Sequence, residues 1–227
     1  MRESGAGLRW GALLPGTLLV VAAWAFLATL EGGARHGSFA AMWLAMSIAM
    51  MIPAVTRPML RAADGSPARA WLFVAGFLSL WAVAGVPAYV LMQGITWTPF
   101  WIAVAWLVAG AYHVVPWRLR QLSACRTARY DGDAVGCGAR QGARCVASCW
   151  PAMIAVMVTA MALPGPVLPL LALAVATAVL CWEKQPRTRP RAVAAVGLAM
   201  MLLAAGGYVL LGGSAPAHDH SMGVSTS

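Results

Sequence analysis

"FAAMWLAMSIAMMIPAVT", residues 39–56, runs for eighteen positions without a charged side chain and is closed by Arg57 and Arg61. A helix rises about 1.5 Å per residue, so a stretch of this length crosses most of a hydrocarbon core about 30 Å thick. The same pattern recurs along the chain. Apolar windows at 11–30, 39–57, 71–92, 97–117, 144–163, 166–182 and 192–211 predict an all-α polytopic bundle of about seven transmembrane helices, one domain over 1–211. Composition agrees, with 61% of the 227 residues hydrophobic and 10% charged, far below the roughly 25% charged of a soluble domain. Prolines at 15, 53, 87, 116, 151 and 169 lie in or at the ends of these windows, where membrane helices tolerate them. The first window follows Arg2 and Arg9 as a secretory signal would, but its apolar length favours a retained helix.

The basic residues orient the chain. All Lys and Arg except Arg35 fall on alternate connecting segments, which predicts a cytoplasmic N-terminus and an external C-terminus. The same distribution assigns the net charge of +9 to topology and anionic lipid, so no nucleic-acid partner is expected. Residues 118–143, rich in glycine and lacking an apolar period, read as an irregular cytoplasmic loop. Residues 212–227 are small and polar and read as a flexible external tail.

Sulfur is concentrated on two windows. In "GARCVASCWPAMIAVMVTAM", Cys145, Cys149, Met153, Met157 and Met161 recur every four residues, which places them along one stripe of a helix. Met42, Met46 and Met50 repeat that spacing, with Met51 alongside. Thioether and thiolate sulfur suit Cu(I), and thiolate also suits zinc. The plainer alternative is adaptable core packing by methionine. Depth separates the two readings in part. Measured from the predicted cytoplasmic end, Cys145 and Cys149 lie roughly 2 and 8 Å deep, His113 roughly 6 Å, and Met50 and Met51 roughly 10 Å. Donors on three windows therefore share a level and form one site if those helices are neighbours.

Other candidates are weaker. His113 is the only histidine inside a window, and buried ionisable groups in membranes usually face the bundle interior. Cys145 and Cys149 form a C-x3-C pair, less diagnostic than C-x2-C. Cys125 and Cys137 fall in a reducing compartment, where a structural disulfide is not expected; Cys125 is a further candidate ligand. His218, His220 and Met222 in "HDHSM" form a candidate external capture site. No hydrolase or nucleotide-binding motif is present and no Asp or Glu lies inside a window, which disfavours an enzyme or a proton-driven pump.

"MWLAMSIAMMIP" at 42–53, "AGAYHVVPWRLRQLSAC" at 109–125, "CVASCWPAM" at 145–153 and "WEK" at 182–184 resemble a bacterial domain-of-unknown-function family described as predicted metal-binding integral membrane proteins. The likeness runs from about 40 to 210. Three positions depart from that family's pattern. Cys125 lacks a close cysteine partner, Ser148 stands where a further cysteine is common, and His113 stands where glutamine is common. His113 is thereby a candidate replacement ligand. The resemblance implies a multi-pass protein of the bacterial inner membrane.

The expectation is an integral membrane protein that binds a transition metal, copper favoured over zinc, for buffering, delivery or passage across the inner membrane. Cys145, Cys149, His113, Met50, Met51, Cys125 and Met153 are its candidate ligands. The lipid bilayer is its partner, together with metal-delivery or membrane-complex proteins. The alternatives are a structural or assembly factor without metal, and a haem-linked redox protein using His113 and a methionine.

Overall fold

The computed structural model describes residues 4–29, 39–127, 132–163, 167–185 and 187–212, and among them every regular element is a helix. These are α1 (Ser4–Thr29), α2 (Phe39–Ala63), α3 (Pro67–Gly94), α4 (Pro99–His113), α5 (Pro116–Thr127), α6 (Ala134–Ala162), α7 (Val167–Glu183) and α8 (Pro190–Gly212). Each of the seven apolar windows carries a helix. By length and hydropathy, α2, α3, α6 and α8 are long enough to cross a membrane, and α4 with α5 adds a fifth if that pair is one span.

The 118–143 stretch corrects the sequence reading, because it is helical on both sides of residues 128–131. Pro116 has no N–H to continue α4, and it disfavours helical geometry at Val115. The chain bends by 68° there and restarts as α5. α6 then begins ten residues before the expected window, capped by Asp133, whose carboxylate accepts from Gly136 N at 2.6 Å.

The other helix ends have local causes too. Asp64 and Gly65 take positive φ, 48° and 80°, and turn the chain between α2 and α3. Ser66 caps α3, accepting from Arg69 N, and Pro67 occupies the first helical position, where its missing N–H costs nothing. Pro99 plays the same part in α4.

α2, α3 and α6 enclose the main apolar core, with α1 laid on α2 and α3, α8 on α4, and α7 against α2 and α6. Tryptophan N–H groups fasten helices across this core. Trp43 donates to the Trp81 carbonyl at 2.7 Å, Trp150 to the Ala84 carbonyl at 3.1 Å, and Trp106 to Thr159 Oγ1 at 2.7 Å.

The α3–α6 interface is the most extensive, and it is a backbone-to-backbone contact. A Cβ added at Gly138 would lie 2.0 Å from the Phe73 carbonyl oxygen, and one at Gly76 would lie 2.2 Å from that of Val135. Small residues permit this approach, which apolar helices use in place of a hydrophobic driving force. Gly138→Ala is expected to force the helices apart at a cost of at least about 1–3 kcal/mol. Thermal unfolding in detergent should show it, with Gly94→Ala, which meets nothing within 4 Å, as control. Equal midpoints for the two variants would contradict the close packing.

Candidate metal centre

Three helices converge on Cys145. It lies on α6 and is fully buried, with Cys149 one turn along at 1% exposure. The Cys145 thiol donates to Met51 Sδ of α2 at 3.6 Å, and the two thiols interact along the helix face. Lys184, just beyond α7, brings Nζ to 2.7 Å from Cys145 Sγ and 3.8 Å from Met51 Sδ. Ser148 packs beside the pair, its Oγ 3.4 Å from Cys149 Sγ and 3.1 Å from the Cys145 carbonyl. The result is a compact sulfur triad of two thiols and a thioether with an ammonium on its edge.

Met51, not Met50, supplies the thioether contact. Adjacent residues on a helix point about 100° apart, so only one of the two can face α6. Met50 and Met153 are both fully buried, and Met153 lies one turn beyond Cys149 on the same stripe. Cys125, 4% exposed on α5, is within electrostatic reach of Lys184 and Cys149. The structure thus gathers Cys145, Cys149 and Met51 tightly and leaves Cys125 at their margin.

His113 sits elsewhere. Its Nδ1 is 2.7 Å from the Ala109 carbonyl and its Nε2 is 3.3 Å from Glu183 Oε1, an ion-pair distance without hydrogen-bond alignment. Both ring nitrogens therefore face protein oxygens. Glu183 also accepts from Arg118 Nη2 at 2.6 Å, and all three side chains are almost wholly buried. Arg118 Nε donates to the Ser148 carbonyl at 2.9 Å, so the polar cluster grips α6 between the two cysteines. Arg126 adds bonds to the Glu183 and Thr188 carbonyls.

Glu183 and Lys184 are neighbours with divided work. The carboxylate anchors the end of α7 to α4 and α5, and that anchor aims the lysine at the sulfurs. Sequence reasoning met Glu183 and Lys184 in the "WEK" motif and Lys184 also as a topogenic charge, and gave neither a place at the site. The signal available was the pairing of a window-end acid with Arg118 and His113 at the same depth.

Among the described residues no group of three or more His, Cys, Asp and Glu side chains is arranged to hold a metal ion. The third donor of the triad is a methionine, Met51, outside those four residue types. Two thiols and a thioether form a soft set, poor for magnesium or calcium and suited to Cu(I). His218, His220 and Met222 lie outside the described residues.

Residues 40–207 match the family model PpoB2, copper chaperone. The chain belongs to the PpoB2 family. The matched segment runs from the start of α2 into α8 and contains every sulfur of the triad, Lys184 and the Glu183 cluster. Membership gives a copper-related role at that coarse level, in line with the metal-related family expected from the motifs. No curated protein and no solved structure matched the chain.

Proposed function

We propose that this PpoB2-family chain carries Cu(I) as cargo in the bacterial inner membrane, held by Cys145, Cys149 and Met51 near the cytoplasmic ends of their helices, and passes it to a metal-accepting protein. No chemical step on the copper is involved. The observation that carries this reading is the Lys184 ammonium, a single positive charge set 2.7 Å from Cys145 Sγ and 3.8 Å from Met51 Sδ. Those sulfurs already hold one monocation, and loading exchanges it for another. The soft donors favour copper over zinc. The tail residues His218, His220 and Met222 add a capture arm on the external side.

Elemental analysis of detergent-purified protein tests the reading, with the chain kept reduced, without a histidine tag, and offered Cu(I) or Zn(II) before gel filtration. Copper should stay at about one equivalent per chain while zinc is lost, because two thiolates and a neutral thioether suit low-coordinate Cu(I) and fall short of the four donors of a structural zinc site. Met51→Leu keeps volume and apolarity, so the fold should stand. It should weaken Cu(I) binding on the order of tenfold, about 1.4 kcal/mol, in a competition titration. Retention of zinc in preference to copper would defeat the proposal.

A further inference from the structure

A small cavity of about 50 Å³ opens beside the triad, lined by Arg57 and Arg61 of α2, Cys125 and Arg126 of α5, Gln141 of α6, and Lys184. Among the described residues no acidic one lines it. Lys184 is shared, because this lining side chain also touches Cys145 and Met51. The cavity and the sulfurs therefore meet at Lys184.

Two buried polar atoms in its wall have no hydrogen-bond partner, Gln141 Oε1 and Arg126 Nε, and Gln141 is only 2% exposed. Unpaired buried polar groups are costly, and they mark a place completed by a polar occupant. Four cationic side chains around one cavity repel a bare Cu(I) ion and attract an anion.

We infer that the substrate form of copper is a small anionic Cu(I)–thiolate complex, received at the Arg57–Arg61 mouth and stripped by Cys125 and Cys145. The inference rests on the copper-carrying function proposed above and specifies what that site accepts. Arg57 and Arg61 are exposed and one helical turn apart, placed for the carboxylates of such a complex. The cavity admits the copper–sulfur end and not the whole carrier. Transfer is a ligand exchange in which a copper bond to cysteine Sγ forms as the bond to the carrier sulfur breaks. Copper remains Cu(I), and the cysteine proton leaves with the carrier thiolate.

The experiment is stopped-flow Cu(I) uptake by full-length protein in detergent from two thiol complexes, anionic glutathione and cationic cysteamine. Equilibrium copper content is measured from Cu(I)–acetonitrile. Electrostatic steering is worth ~10- to 1000-fold in rate. Wild type should take copper at least ~10-fold faster from glutathione than from cysteamine, and 0.5 M salt should erase most of that preference because screening shortens the reach of charge. Arg57→Gln/Arg61→Gln should bring the ratio close to one and leave the equilibrium copper content as in wild type. A wild-type ratio near one, or an unchanged ratio in the variant, overturns the inference while the metal site stands. No copper bound from any donor removes the copper-carrying function itself.

Discussion

Cys145→Ser/Cys149→Ser should abolish stoichiometric copper, taking the content of the reduced, Cu(I)-loaded protein from about one atom per chain to near zero. Serine keeps the size of cysteine and replaces a soft sulfur with a hard hydroxyl. Met51 would then be the only sulfur of the triad left, and a lone neutral thioether is a weak ligand. Both cysteines are buried among packed helices, but the change of one atom in each is small enough for the bundle to survive. A helical circular-dichroism spectrum equal to wild type would establish that survival. Each single variant should keep part of the copper, because one thiol and the Met51 thioether remain. Full copper content in the folded double variant would show that the metal sits elsewhere.

Glu183→Gln carries the second large effect, this time on stability. Arg118 is completely buried, and its guanidinium is neutralised at 2.6 Å by Glu183. Removing one partner of a buried ion pair leaves an uncompensated charge and costs about 3–5 kcal/mol. For a chain of this size each kcal/mol moves the midpoint by roughly 2–4 °C, so a fall on the order of 6–20 °C is expected in detergent. Arg118→Met/Glu183→Leu removes both charges and should recover much of the loss, since apolar replacements of buried pairs are often neutral. A midpoint within about 2 °C of wild type for Glu183→Gln would mean that the pair contributes little.

The extent to which this molecule is legible in its sequence follows from what periodicity encodes. Charge-free windows locate helices because a buried backbone in lipid must satisfy itself internally. The same rule is blind to α5 and the first turns of α6, which are helical and not apolar. Gly138 and Gly142 looked like loop markers, yet they sit where α6 meets the backbone of Phe73 and Phe77. Glycine signals backbone freedom and close approach equally, and only the neighbour decides between them.

The site divides along similar lines. Depth was readable to about one turn, because rise per residue is constant, and it brought Met51 to the level of Cys149, one turn from the Cys145 it touches. Rotation about each helix axis was not, so Met50 stood beside Met51 as an equal candidate, and His113 joined the list although it faces Glu183. Lys184 was noted only in "WEK" and as a basic charge, and its place at the sulfurs was missed because a long side chain acts well away from its own backbone position.

The glycine contact between α3 and α6 has a mechanical corollary. Two helices in backbone contact have no compressible layer of side chains between them, so the cysteine-bearing rod is stiff and its thiols keep their register. α7 has no such seam, being moored at its end through the Arg118 and Arg126 bonds to Glu183. An incoming ion would therefore displace the Lys184 side chain, which reaches past the anchored end of α7, and leave the pair of sulfurs in place.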